Sequence, residues 1–78
     1  MEANWPSAAF FTMSEHFLCR IMRMAKAIRD RIPGVVDPEW DHHYMQLSGL
    51  HDLALEGQPL PQHAVWYVRG VLTEMDRV

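Results

Sequence analysis

Ala64-Val65-Trp66-Tyr67-Val68-Arg69-Gly70-Val71-Leu72 decides the fold, because read as a helix it is apolar on nearly every side. A helix at a protein surface carries one apolar stripe, whereas a helix apolar all round must be covered all round. Val65, Val68, Leu72 and Met75, with Ala64 and Val71 beside them, recur at three- and four-residue spacing and form the stripe expected to face the core. Trp66 and Gly70 fall on the other side, where His63 and Thr73 extend them into a second line. Gly70 permits close approach there, and Trp66, with Tyr67 beside it, offers a large anchor. This second line is therefore expected to meet another polypeptide. The β-branched and aromatic content of Val65-Trp66-Tyr67-Val68 also suits a strand. Pro61 upstream and the lack of a partner strand favour the helix.

Upstream, Gly57-Gln58-Pro59-Leu60-Pro61 is a stiff connection, with Pro61 expected as the first residue of the last helix. The preceding segment has the clearest start signal in the chain, Asp37-Pro38-Glu39, which combines an Asx N-cap, proline at the first helical position and an early acid. Its apolar face reads Trp40, Tyr44, Leu47, Leu50, Ala54 and Leu55, with His51 inside that face and His42 pointing away, and Gly57 ends it. The first helix begins either after Ser7 or at Thr12, where Thr12-Met13-Ser14-Glu15 fits a capping box, and stops at Ile32-Pro33-Gly34. Phe10, Phe17, Ile21, Met24, Ile28 and Ile32 define its stripe, with Met13, Leu18 and Ala25 at the margins. A first helix of about 20 to 26 residues overshoots the other two, which predicts a free end reaching a second subunit.

Size and composition bound the possibilities. The 78 residues make one domain, and a domain this small is marginally stable without a staple or a partner. An apolar fraction of 49%, with three Trp and six Met, excludes a disordered tail, which is poor in such residues. Cys19 is the only cysteine, so no internal disulfide forms. The start Met1-Glu2-Ala3-Asn4 lacks the basic residues of a secretory signal, and the compartment expected is the cytoplasm. No apolar run approaches the roughly 20 residues of a membrane span. The net charge of −3 conceals a basic segment in which Arg20, Arg23, Lys26, Arg29 and Arg31 face a single acid, Asp30, while the remainder is acidic. Such segregation favours intramolecular or head-to-tail charge complementarity, and it equally suits steering of an acidic partner to the first helix.

Motifs for chemistry are weak. Asp41, His42, His43, His51, Asp52 and His63 offer nitrogen and oxygen ligands, but no two histidines are spaced i, i+4, so no metal site is expected. Cys19 lies one turn from His16 and one turn before Arg23, an arrangement that favours a thiolate, yet no third group orients the histidine. The four glycines stand apart and form no phosphate-binding loop. Catalytic, cofactor and metal residues are all expected to be none. The last two helices resemble a helix-turn-helix pair, but Arg69 and Arg77 are balanced by Glu74 and Asp76, whereas DNA binding needs net positive charge.

The sequence thus predicts an all-α, three-helix bundle with helices at about 7–32, 38–56 and 61–76, expected as a homodimer. The predicted function is non-enzymatic: a small regulatory or accessory protein that binds and modulates, or inhibits, a larger protein. Arg20, Arg23, Lys26, His63, Trp66, Tyr67 and Gly70 are its predicted contact residues. A compact helix-turn-helix transcriptional regulator is one alternative, and a metal or redox sensor built on the histidines or Cys19 is the other.

Overall fold

Three helices account for the fold in a computed structural model that describes residues 13–78: α1 (Glu15–Arg29), α2 (Pro38–Leu55) and α3 (Ala64–Met75). Among these residues no strand forms, and the only β-type contact is an isolated antiparallel bridge between Ile32 and Val35. The stretch from Ala64 to Leu72 is helical throughout.

The start of α1 departs from the sequence reading. Met13 and Ser14 are non-helical, and the Ser14 hydroxyl accepts a hydrogen bond from the Phe17 backbone N–H at 3.1 Å, which makes Ser14 the N-cap. Thr12, the start after Ser7 and Phe10 of the expected stripe all lie outside the described residues. At its other end α1 stops at Arg29, and Arg31 folds back to donate to the Ile28 carbonyl at 2.7 Å. With 15 residues against 18 in α2, α1 has no overhang, and the argument that its length reaches a second subunit falls away. The connection to α2 is a tight reverse turn at Ile32-Pro33-Gly34-Val35, closed by the Val35 N–H on the Ile32 carbonyl at 3.0 Å. Proline presets φ at the second position of such a turn, and Gly34, at φ 79°, supplies the left-handed conformation required at the third.

Helix α2 begins as read from sequence. The Asp37 carboxylate accepts from the backbone N–H groups of Glu39 and Trp40, with Pro38 at the first position. It ends at Gly57, whose φ of 72° allows its N–H to reach the Ala54 carbonyl while the Gln58 N–H reaches that of Leu53. Those two bonds make a Schellman motif. Pro61 does not open α3. Its carbonyl accepts the Ala64 N–H at 3.0 Å in a turn, and the helix starts at Ala64 with no side-chain cap from His63.

Helices α1 and α2 form an antiparallel hairpin with the largest interface in the molecule, and α3 packs on it through a smaller one. Leu18, Ile21 and Ala25 of α1, Trp40 and Leu47 of α2, Leu60 of the connection, and Ala64, Val68 and Val71 of α3 make one buried cluster. The core stripe of α1 is therefore rotated from the one expected. Leu18 and Ala25, placed at its margins, lie at its centre, while Phe17, Met24 and Ile32 are exposed. In α2, Leu55 also turns outward.

Arg29 pins the hairpin. Its guanidinium grips Asp30 through Nε at 2.9 Å and Nη2 at 3.1 Å, reaches Asp41 through Nη1 at 3.0 Å, and lies 4.9 Å from the centre of the Tyr44 ring. Hydrogen bonds to Asp30 and Asp41 raise the Arg29 pKa, and the same guanidinium holds the Asp30 carboxyl below its ordinary value. No helix among the described residues is long and apolar enough to cross a membrane.

Candidate functional site

The contact residues predicted from sequence divide into two groups. On α3, His63, Trp66 and Gly70 are exposed, as is Thr73 on the same line. Trp66 is 55% exposed although it belongs to a helix whose Val65, Val68 and Val71 are buried. The Arg69 guanidinium sits 5.1 Å from the centre of the indole, a cation–π contact that holds the ring in place on the surface. Tyr67 parts from this group. It turns toward α2, is half-buried, and its hydroxyl pairs with His43 Nδ1 at 2.7 Å. Tyr67 therefore joins α3 to α2 and stands apart from the Trp66 line.

On α1, Arg20, Arg23 and Lys26 are all exposed. Lys26 is paired with Asp30 at 3.8 Å, Arg29 is taken by Asp30 and Asp41, and Arg31 meets Asp37 at 3.1 Å. Arg20 and Arg23 meet no acidic side chain among the described residues, so the basic stripe narrows to these two. Phe17 and Met24 stand exposed on either side of Arg20 at helical spacing, so the α1 surface is both basic and apolar. Cys19 is a free thiol of intermediate exposure.

A further cluster escaped the sequence reading. His43, one turn after Glu39 on α2, has a side chain only 14% exposed. Trp40 lies edge-on to its ring at 4.9 Å, and His42 stands 6.1 Å away. With Nδ1 held by Tyr67, the buried Nε2 has no hydrogen-bond partner among the described residues. Two carboxylates flank that nitrogen, Glu74 of α3 at 3.4 Å and Glu39 at 3.9 Å. Burial, followed by the charge of Glu74, raises the Tyr67 pKa, so the phenol stays protonated and remains available to its imidazole partner. The sequence holds one signal for this cluster, the i, i+4 pair Glu39 and His43, a spacing that is common on solvated helices and points to no ligand by itself. Glu74 came from a remote segment and had no signal at all.

Of the other histidines, His16, His42 and His63 are exposed and His51 is half-buried on α2. The segment between α2 and α3 runs over residues 56–63, well beyond the turn of about 3–4 residues that joins a helix-turn-helix pair. No protein-family model, no curated protein and no solved structure matches this chain.

Proposed function

We propose that the chain is a small non-enzymatic regulatory or accessory protein, acting in the cytoplasm, that binds a larger protein through the outer face of α3 and modulates it. The observation that carries this reading is the Trp66–Arg69 pair: a large aromatic side chain left 55% exposed and braced by a guanidinium at 5.1 Å. Tryptophan and arginine are enriched among the residues that dominate interface energetics, and the indole covers a large area with only two side-chain torsions to fix. Gly70, exposed on the same face with open space where a side chain would project, lets a partner backbone approach beside the indole. Arg20 and Arg23 give the partner its chemistry, an acidic surface surrounding an apolar pocket, and they steer its approach. Self-association through the Trp66 face is the homodimeric form of the same reading.

Sedimentation across concentration, followed by affinity capture with the wild type, Trp66→Ala and the Arg20→Glu/Arg23→Glu double variant, tests this proposal. A partner, or a second copy, retained by the wild type and lost with Trp66→Ala is the expected result. Once that complex is purified, the charge-reversed variant should slow association and flatten its salt dependence. Equal association by Trp66→Ala would refute the role of α3, and a wild type that is monomeric and retains nothing specific would refute the proposal as a whole.

A further inference from the structure

We infer that Glu39, His43 and Glu74 form a divalent transition-metal site, with Zn²⁺ the best-matched ion, that clips α3 to α2. One donor atom from each residue lies within 4.8 Å of the other two. The imidazole is already set as a metal-bound histidine is set. Its Nδ1 is engaged by the Tyr67 hydroxyl at 2.7 Å, and the Trp40 ring stands edge-on against it, so Nε2 is aimed in one direction. A ligating histidine usually holds its second nitrogen in just such a hydrogen bond, which fixes both tautomer and orientation. In the tautomer that carries its proton on Nδ1, the imidazole donates to Tyr67 Oη and the lone pair of Nε2 points at the two carboxylates.

Distances separate this reading from a simple proton-mediated pair. Nε2 is shut off from water and has no hydrogen-bond partner among the described residues, a costly state for a buried polar atom. A proton on Nε2 serves it poorly, because Glu74 at 3.4 Å and Glu39 at 3.9 Å lie beyond the usual N–H···O range of about 2.7–3.2 Å. Zinc bonds of roughly 2.0–2.1 Å place neighbouring donors of a tetrahedron about 3.4 Å apart. The Nε2–Glu74 separation has that value, and the Glu39 oxygen, 3.9 Å from Nε2 and within 4.8 Å of the Glu74 oxygen, closes on both by rotation of its 62% exposed side chain. One imidazole with two carboxylates suits Zn²⁺ and its first-row neighbours, whereas Ca²⁺ and Mg²⁺ prefer all-oxygen shells. The two carboxylate charges balance the ion, and water completes the fourth position. The site spans the smaller of the two helix interfaces, where a clip adds most to a small domain.

The test uses the full chain and Zn²⁺ alone, in competition with a chromophoric chelator, together with thermal unfolding at increasing free Zn²⁺. We expect one Zn²⁺ per chain and a midpoint that climbs with Zn²⁺ concentration. Glu39→Gln at an exposed carboxylate and the isosteric Glu74→Gln at a partly exposed one, both compatible with folding, should each weaken binding at least tenfold and flatten the thermal response. Tyr67→Phe, which removes only the hydrogen bond to Nδ1, should weaken it by roughly ten- to a hundredfold. The double variant His42→Ala/His51→Ala should bind as the wild type does. Binding unchanged by Glu74→Gln, binding abolished by the His42/His51 pair, or no Zn²⁺ uptake at about 100 μM free ion, roughly a thousandfold or more above the dissociation constants of structural zinc sites, would each overturn the proposal.

Discussion

Two tryptophans with opposite surroundings give the sharpest test of how α3 is mounted. Trp40 is 4% exposed in the core, and Trp66 is 55% exposed on the outer face. A buried tryptophan removes about 150–250 Å² from water, which at about 25 cal/mol per Å² is an upper limit of about 4–6 kcal/mol, in line with the 3–5 kcal/mol typical of a core Trp→Ala change. For Trp66 slightly under half of that surface is covered, so the limit falls to about 2–3 kcal/mol. Residual burial in the unfolded chain lowers it by roughly 10–40%. The better helix propensity of alanine returns about 0.5 kcal/mol, which leaves about 1 kcal/mol. The whole molecule, at about 0.05–0.15 kcal/mol per residue, is stable by about 4–12 kcal/mol, so Trp66→Ala stays folded while Trp40→Ala approaches the threshold. Urea unfolding followed by circular dichroism at 222 nm reads both, with Trp40→Phe as the milder variant should Trp40→Ala fail to fold. A loss of 3 kcal/mol or more in Trp66→Ala, or of less than 1 kcal/mol in Trp40→Ala, would refute the placement of the two faces. It would also remove Trp66→Ala as a clean probe of partner binding.

Three further outcomes are expected. Gly34→Ala should destabilise by about 1–2 kcal/mol and lower the melting temperature by about 4–8 °C per kcal/mol, because an L side chain resists a φ of 79° even with open space around it; an unchanged midpoint would contradict the turn. Asp37 is held below the ordinary carboxyl range chiefly by the Trp40 backbone N–H, with Arg31 adding to it. A lowered folded pKa gives stability that is full above the unfolded value and lost as pH falls through the folded one, so acid unfolding should be shallower in Asp37→Asn, which keeps a capping oxygen but does not titrate. Tyr67 has the opposite sign: its raised pKa gives stability that is full below the unfolded phenol value and lost as pH rises through the folded one. In a Tyr44→Phe variant, ultraviolet titration at 295 nm should find Tyr67 ionising above the ordinary phenol value, and coincidence with free tyrosine would contradict its burial.

Features written in local backbone chemistry were legible in the sequence. Asp37-Pro38 and Gly57 act through dihedral angles and near-neighbour hydrogen bonds, so the start and end of α2 followed from residue type alone, whereas Pro33-Gly34 reads only as the stop of a first helix that ends earlier, at Arg29. The inner and outer faces of α3 were legible for a related reason, since only one of them carries an unbroken row of valines. The rotation of α1 was not. Both of its flanks are apolar, and whether Ile21 is joined by Met24 and Ile28 or by Leu18 and Ala25 depends on how closely α2 approaches. Alanine at position 25 lets that approach happen, and it carries little weight in a hydrophobicity pattern. The sequence places the start of α1 after Ser7 or at Thr12; Ser14, an interior residue of the Thr12-Met13-Ser14-Glu15 box, is the cap instead. The His43 cluster needed a residue 31 positions away, and only the seating of α3 on α2 brings Glu74 to the imidazole.

The Pro33-Gly34 turn has a consequence for how the chain reaches this state. It joins two helices whose mutual contacts are local in sequence, and local contacts close quickly because little chain entropy is lost before they are rewarded. The α1–α2 hairpin is thus expected to form first, and α3, tethered by the longer segment and holding the smaller interface, is expected to dock last and lift first. Opening of that one helix releases Val65, Val68 and Val71 to water and parts Tyr67 from His43 in a single event. With α1 and α2 still paired meanwhile, amide exchange is expected to be slower in that hairpin than in α3, whose closing rate any ligand bridging it to the hairpin would set.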